Sequence, residues 1–207
     1  GGAGIETSTA ATTPSELSTL TPKSTLDRDL PRIDQQIVVQ EPTATAVVAT
    51  DRIIVQPSPF RVQYLPVARW VDRAPFIVQQ LLIESFENSG RVPAVGRSQI
   101  GLRADYVVAP DLREFQAMLP ANAGPDSDLE ILVRLTIKIV YDFDDQIIGS
   151  RSFTRRETAA NIEPETVVRA FDEALGGTMR DAVEWSVQTI AEHARRRPRR
   201  PDDLAWR

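Results

Sequence analysis

With 207 residues, 42% hydrophobic and 26% charged, the chain suits one large globular domain or one domain with appendages. It has no cysteine and a single histidine, His193, so disulfides, thiol nucleophiles and Cys-ligated metals lack their parts, and a His-rich metal site or a conventional Ser-His-Asp triad is poorly supported. The net charge of −5 is uneven: residues 195–207 hold six Arg and two Asp, leaving 18 basic and 27 acidic groups elsewhere, a body at −9 that repels nucleic acid.

No apolar run approaches the ~18–20 residues that span a bilayer. No secretory signal pattern precedes Gly1-Gly2, so a mature or trimmed chain is expected. Arg outnumbers Lys 22 to 2, which reads as compositional bias rather than anion recognition.

In chain order, residues 1–24 carry ten Ser/Thr and two Pro with few large apolar side chains. They bury too little to offset their ordering entropy and read as a flexible leader, with the folded part starting near Ile33. The expected division is a leader over 1–32, one domain over 33–194 and a basic tail over 195–207. Short strands are expected at 37–39 and 53–55. After the break at Pro57-Ser58-Pro59, Phe60, Val62 and Tyr64 alternate with Arg61 and Gln63 as a third strand.

Val78, Leu81, Leu82 and Phe86 then form one helical stripe. Asp72 is expected to cap this helix, Pro75 to sit in its first turn and Gly90 to end it. A strand follows at 92–95 and a loop at 96–101. Through residues 102–119 the apolar positions are even up to Leu112 and odd from Phe115, so a bulge is required near Arg113-Glu114. Residues 129–143 are the clearest strand, with Leu129, Ile131, Val133, Leu135, Ile137, Ile139, Tyr141 and Phe143 on one face and Arg134, Thr136, Lys138 and Asp142 on the other. A reversal at 142–146 returns it as an edge strand. Val168, Phe171, Leu175, Met179, Val183 and Ile190 mark a last long helix, which Gly176-Gly177 either kinks or brings close to the sheet.

The searches for chemistry end in structural readings. Asp142, Asp144 and Asp145 lack the Gly and Glu that a calcium loop needs at its sixth and twelfth positions, and read as a solvated turn. Asp105, Asp111 and Glu114 lack a nucleophile or second signature beside them. The loop at 96–101 has no Lys-Ser/Thr for phosphate. His193 reads as a solvent-facing residue near the helix end, and Trp70 as buried packing. The RRRPRR run at 195–200 fits anionic lipid, an acidic partner or a solvated end.

Taken together, the 37–40 strand, Tyr64, Arg69-Trp70, the helix from Pro75 to Gly90, Asp105-Tyr106, the 129–143 strand with its return, and the 167–190 helix with Ala170-Phe171 and Trp185 resemble the ABC-type transport auxiliary lipoprotein family. The resemblance spans about 33–190. Gly176-Gly177 and the basic tail depart from the pattern.

The fold it implies is a single three-layer α/β domain with a mixed sheet and long covering helices, similar to the N-terminal domain of the Tol system's propeller protein. The implied role is non-enzymatic, with no catalytic, metal or cofactor-binding residues and no cofactor. Such a protein is an envelope lipoprotein of the periplasm, anchored to the outer membrane by an N-terminal lipid whose Cys is absent from this sequence. It accompanies an MCE-domain (mammalian-cell-entry) protein with its ABC permease and ATPase. A homo-oligomer is left open, nucleic acid is not a partner, and a periplasmic lipid-binding carrier is the alternative role.

Overall fold

The computed structural model describes residues 16–97, 103–120 and 127–197. Eight strands and two helices follow in the order β1 (Glu16–Ser18), β2 (Gln36–Val39), β3 (Arg52–Ser58), β4 (Arg61–Trp70), α1 (Ala74–Asn88), β5 (Ala94–Gly96), β6 (Tyr106–Met118), β7 (Leu129–Tyr141), β8 (Gln146–Ala159) and α2 (Pro164–Arg196). All strands join one mixed sheet built around β6, which pairs antiparallel with β7 and parallel with β2 and with the end of β3. β8 closes one edge; on the other side of β6 the sheet forks and ends at β1, beside β4, and at β5, beside β2.

The single α/β domain with a mixed sheet matches the expectation. Its layers are two, sheet and helices, where three were expected. α1 and α2 touch one another through Ser85 and Met179 and therefore share one face of the sheet. There Trp70, 1% exposed, packs on Phe115 and Phe171 at centroid distances of 5.6 and 5.2 Å. Trp185 of α2 packs on Phe153 of β8. The other face bears Arg134 and Lys138, which neither described helix covers.

Strand periodicity accounts for this sidedness. Leu129, Ile131, Val133, Leu135, Ile137 and Ile139 of β7 are all buried, whereas Phe143, expected on the same face, lies past the strand's end at Tyr141 and is exposed because the reversal has begun. The required bulge in β6 is present as a register shift between Leu112 and Glu114 against β7, which returns Phe115 and Ala117 to the helix side. In α1, Pro75 stands in the first turn and Gly90 ends the element at φ +66°. Asp72 does not cap it. Arg73 holds that position, and the Asp72 carboxylate accepts the Arg73 N–H instead. α2 runs unbroken for 33 residues, about 50 Å. At Gly177 a Cβ would come 3.2 Å from Nε of Arg155, so this glycine admits a close crossing of helix and edge strand.

The leader boundary moves. From Glu16 the chain belongs to the fold: β1 pairs with Ala68–Trp70 of β4, and Leu20, Leu30 and Ile33 are buried. Residues 19–33 lie as a strap in the groove between the helices. The Thr21 N–H donates to Asp172 at 2.6 Å and the Lys23 N–H to Ser85 Oγ at 3.0 Å, while the Asp27 N–H donates to Glu184. Isolated leucines and backbone hydrogen bonds to helix side chains leave no periodic trace, which is why composition alone read this stretch as a leader. At the other end α2 takes in Arg195 and Arg196, so the expected tail begins inside the helix; residues 198–207, like most of the 96–101 loop, lie outside the described residues.

Candidate functional site

Asp105, Asp111 and Glu114 each have a structural partner. Asp105 accepts the Gln36 N–H at 2.7 Å, fastening β2 to the start of β6. Asp111 accepts from Thr43 Oγ1 and from Arg113 Nε, both at 2.9 Å. Glu114 faces Gln116 and, at 4.0 Å, Arg134. The three are thus strung along β6 and not gathered into a site. Asp142, Asp144 and Asp145 are exposed in the β7–β8 reversal, where Asp145 takes φ 55° and Asp144 accepts the Gln146 N–H. Among the described residues no group of three or more His, Cys, Asp or Glu is arranged to hold a metal ion.

His193 is placed differently from the expectation. α2 is long enough to carry it over the end of the sheet, where its ring packs on Tyr141 at 4.8 Å and on Tyr106 at 5.6 Å. The Tyr106 hydroxyl lies 2.7 Å from Nδ1. Burial pushes the Tyr106 phenol up to about 12, with Arg197 pulling the other way. Burial first and Arg197 second hold His193 below the usual imidazole value. A phenol that keeps its proton donates to a neutral imidazole, so the cluster pins the last turn of α2 to the sheet. Sequence periodicity missed it because His193 lies beyond the last fully apolar position, Ile190.

The uncovered sheet face is the broad surface left over. β8 contributes Ser150, Ser152, Thr154 and Arg156, and β7 contributes Arg134, Thr136 and Lys138. Thr136 is only 6% exposed and hydrogen-bonded to Ser152 at 2.6 Å. Arg134 donates to Thr154, and Arg156 pairs with Glu130. Lys138 is exposed and makes no ion pair among the described residues. Such a face offers hydrogen bonds and charge. Clefts on the molecule are open. One of about 740 Å³ lies at the start of α2, lined in part by Glu16, Glu163, Glu165, Arg169 and Glu173. Another of about 460 Å³ lies between residues 31–35 and the end of α2.

A family model described as the ABC-type transport auxiliary lipoprotein component matches residues 16–183, from β1 into α2. The chain belongs to the ABC-type transport auxiliary lipoprotein family. The match begins at Glu16, where the structure also begins the fold. This auxiliary lipoprotein is 29% identical over 161 residues to an uncharacterized protein of Bradyrhizobium diazoefficiens, covering 76% of this chain and 41% of that protein; the chain thus spans under half the length of that relative. Its fold resembles the crystal structure of a Xanthomonas campestris protein, with a TM-score of 0.79 at 25% identity, covering 86% of this chain and 99% of that one. An uncharacterized protein of known structure shares the fold at a TM-score of 0.59 and 11% identity, over 80% and 99% of the two chains. Membership implies association with an ABC-type transport system and a place at the cell envelope.

Proposed function

We propose that this auxiliary lipoprotein is a non-enzymatic adaptor of an MCE-type lipid transporter, held in the periplasm at the outer membrane by an N-terminal lipid and docking on the MCE subunit. The observation that carries the reading is the family match over residues 16–183. It is supported by the shape of the surface: the helix face is spent on the core, and an uncovered polar sheet face is left for a protein partner. Lys138, Arg134 and Arg156 are cations of this face, and a charged rim of this kind sets encounter rate and specificity more than affinity. The carrier alternative needs a deep apolar cavity. The cleft at the start of α2 is open and rich in carboxylates, a poor match for acyl chains.

The test is complementation in a strain lacking the gene. The form with an N-terminal lipidation signal and cysteine is expected to restore envelope integrity and the unlipidated body to fail at equal abundance. Equal rescue by both would remove the tether from the account.

A further inference from the structure

The β3–β4 hairpin is buried at its base and exposed towards its tip, and differs from the rest in charge. Its two-residue tip, Pro59-Phe60, leaves Phe60 95% exposed, and Val62, Tyr64 and Val67 on β4 are each more than two-fifths exposed. Residues 52–71 contain Arg52, Arg61 and Arg69 and no carboxylate, in a body that is otherwise acidic. Arg69 is paired with Asp51 and Arg52 lies over the Tyr64 ring at 4.9 Å, whereas Arg61 is exposed beside the tip.

We infer that the tip of this hairpin, Phe60 with Arg61, rests in the headgroup layer of the anionic bilayer that holds the protein's own anchor. This rests on the lipoprotein reading. Direction is the first argument. β1 pairs parallel with β4, Glu16 opposite Ala68 and Ser18 opposite Trp70, so the N-terminal end of β1 points the same way as the N-terminal end of β4. That way leads to Phe60. The fifteen residues that precede β1, and an anchor ahead of them, therefore join the body on the side from which the hairpin projects.

Chemistry is the second argument. An exposed aromatic ring next to an arginine, with no acid nearby in sequence, matches the boundary between phosphates and acyl chains. The third argument concerns the competing occupant, a protein strand added to the free edge. Only Ala68–Trp70 of β4 is covered by β1, but the open stretch contains Pro66, which has no N–H to offer a new strand. The nearby start of α2 carries Glu163, Glu165 and Glu173, which anionic headgroups repel. Contact is thus through the hairpin with the body tilted. One ring and one cation do not hold a protein at a membrane alone; on a tethered body they set its orientation.

The chain contains no cysteine, so Phe60→Cys takes an environment-sensitive fluorophore at one place. The labelled full chain is tethered through a hexahistidine ahead of Gly1 to nickel-chelating lipid in vesicles of phosphatidylcholine with phosphatidylglycerol. The expected result is a blue-shifted emission quenched by nitroxide-bearing lipids, reduced several-fold by Arg61→Glu. The same label at Phe143→Cys, 68% exposed in the β7–β8 reversal at the far end of the sheet, is expected to report water. A label at position 60 that stays in water overturns the proposal. So does a label that becomes buried only when an MCE-domain protein is added, which would make the hairpin a protein-docking surface. The tether is supplied, so either failure leaves the lipoprotein reading to the complementation test.

Discussion

At Gly149 and Gly177 the same substitution meets different neighbours. A Cβ at Gly149 would stand 3.1 Å from Thr189 and from Trp185, two side chains of α2 held between helix and sheet. Gly149→Ala is expected to lower stability by about 1–3 kcal/mol, the range for overpacking a filled site. At Gly177 the Cβ would press on the aliphatic stem and Nε of Arg155, whose side chain has room to shift. There the gain of about 1 kcal/mol in helix propensity offsets the nudge, and Gly177→Ala is expected to be near neutral. Thermal midpoints of the two variants check the contrast.

His193 gives a pH dependence of known sign. Its folded value lies below its unfolded one, mainly through burial, so the unfolded chain takes up the proton first as pH falls. The contribution is complete above the unfolded imidazole value of ~6.5 and is lost as pH drops through the folded value. Urea midpoints at about pH 8 and about pH 5.5 should therefore differ less for His193→Phe than for the natural chain. An equal difference would mean that His193 is not held neutral against Tyr106.

Among the elements, β7 supports the sharpest pair of substitutions. Leu135 is fully buried and Lys138 exposed on the opposite face. Leu135→Asp is expected to cost ~4 kcal/mol or more from lost packing alone, before the buried carboxylate is counted. Lys138→Asp should leave the urea midpoint nearly unchanged. The strap carries a second prediction: Leu20→Ala, 8% exposed, should cost about 2–4 kcal/mol, whereas Leu17→Ala, 64% exposed, should not. A silent Leu20→Ala would return residues 16–33 to the role of a leader.

What was legible in the sequence follows the range of each signal. β7, the bulge in β6, Gly90 and the long last helix depend on alternation within one segment, and the chain spells that out. Gly176-Gly177 left a kink or a close crossing open; the helix runs on through it with the Arg155 side chain against Gly177. The strap and the His193–Tyr106 contact depend on residues 62 to 157 and 87 positions away, and no local period encodes them. The uncovered face was visible as the polar set Arg134, Thr136 and Lys138. That Thr136 is locked to Ser152 was not, because pairing register belongs to the folded sheet.

For the molecule as a whole, the proposed adaptor keeps anchor and docking surface distinct. β1 and the hairpin tip mark the side where the leader joins, while the sheet face bearing Lys138 and Arg134 is free to meet a partner. A tether raises the local concentration of that face at the transporter, so modest intrinsic affinity is enough. The most direct measurement is equilibrium binding of the soluble body to the purified MCE subunit. The account predicts saturable binding that the double variant Arg134→Glu, Lys138→Glu weakens roughly tenfold or more, with the fold intact by circular dichroism. Absence of binding, together with lipid co-purifying in stoichiometric amount with the body, would contradict the adaptor and install the carrier in its place.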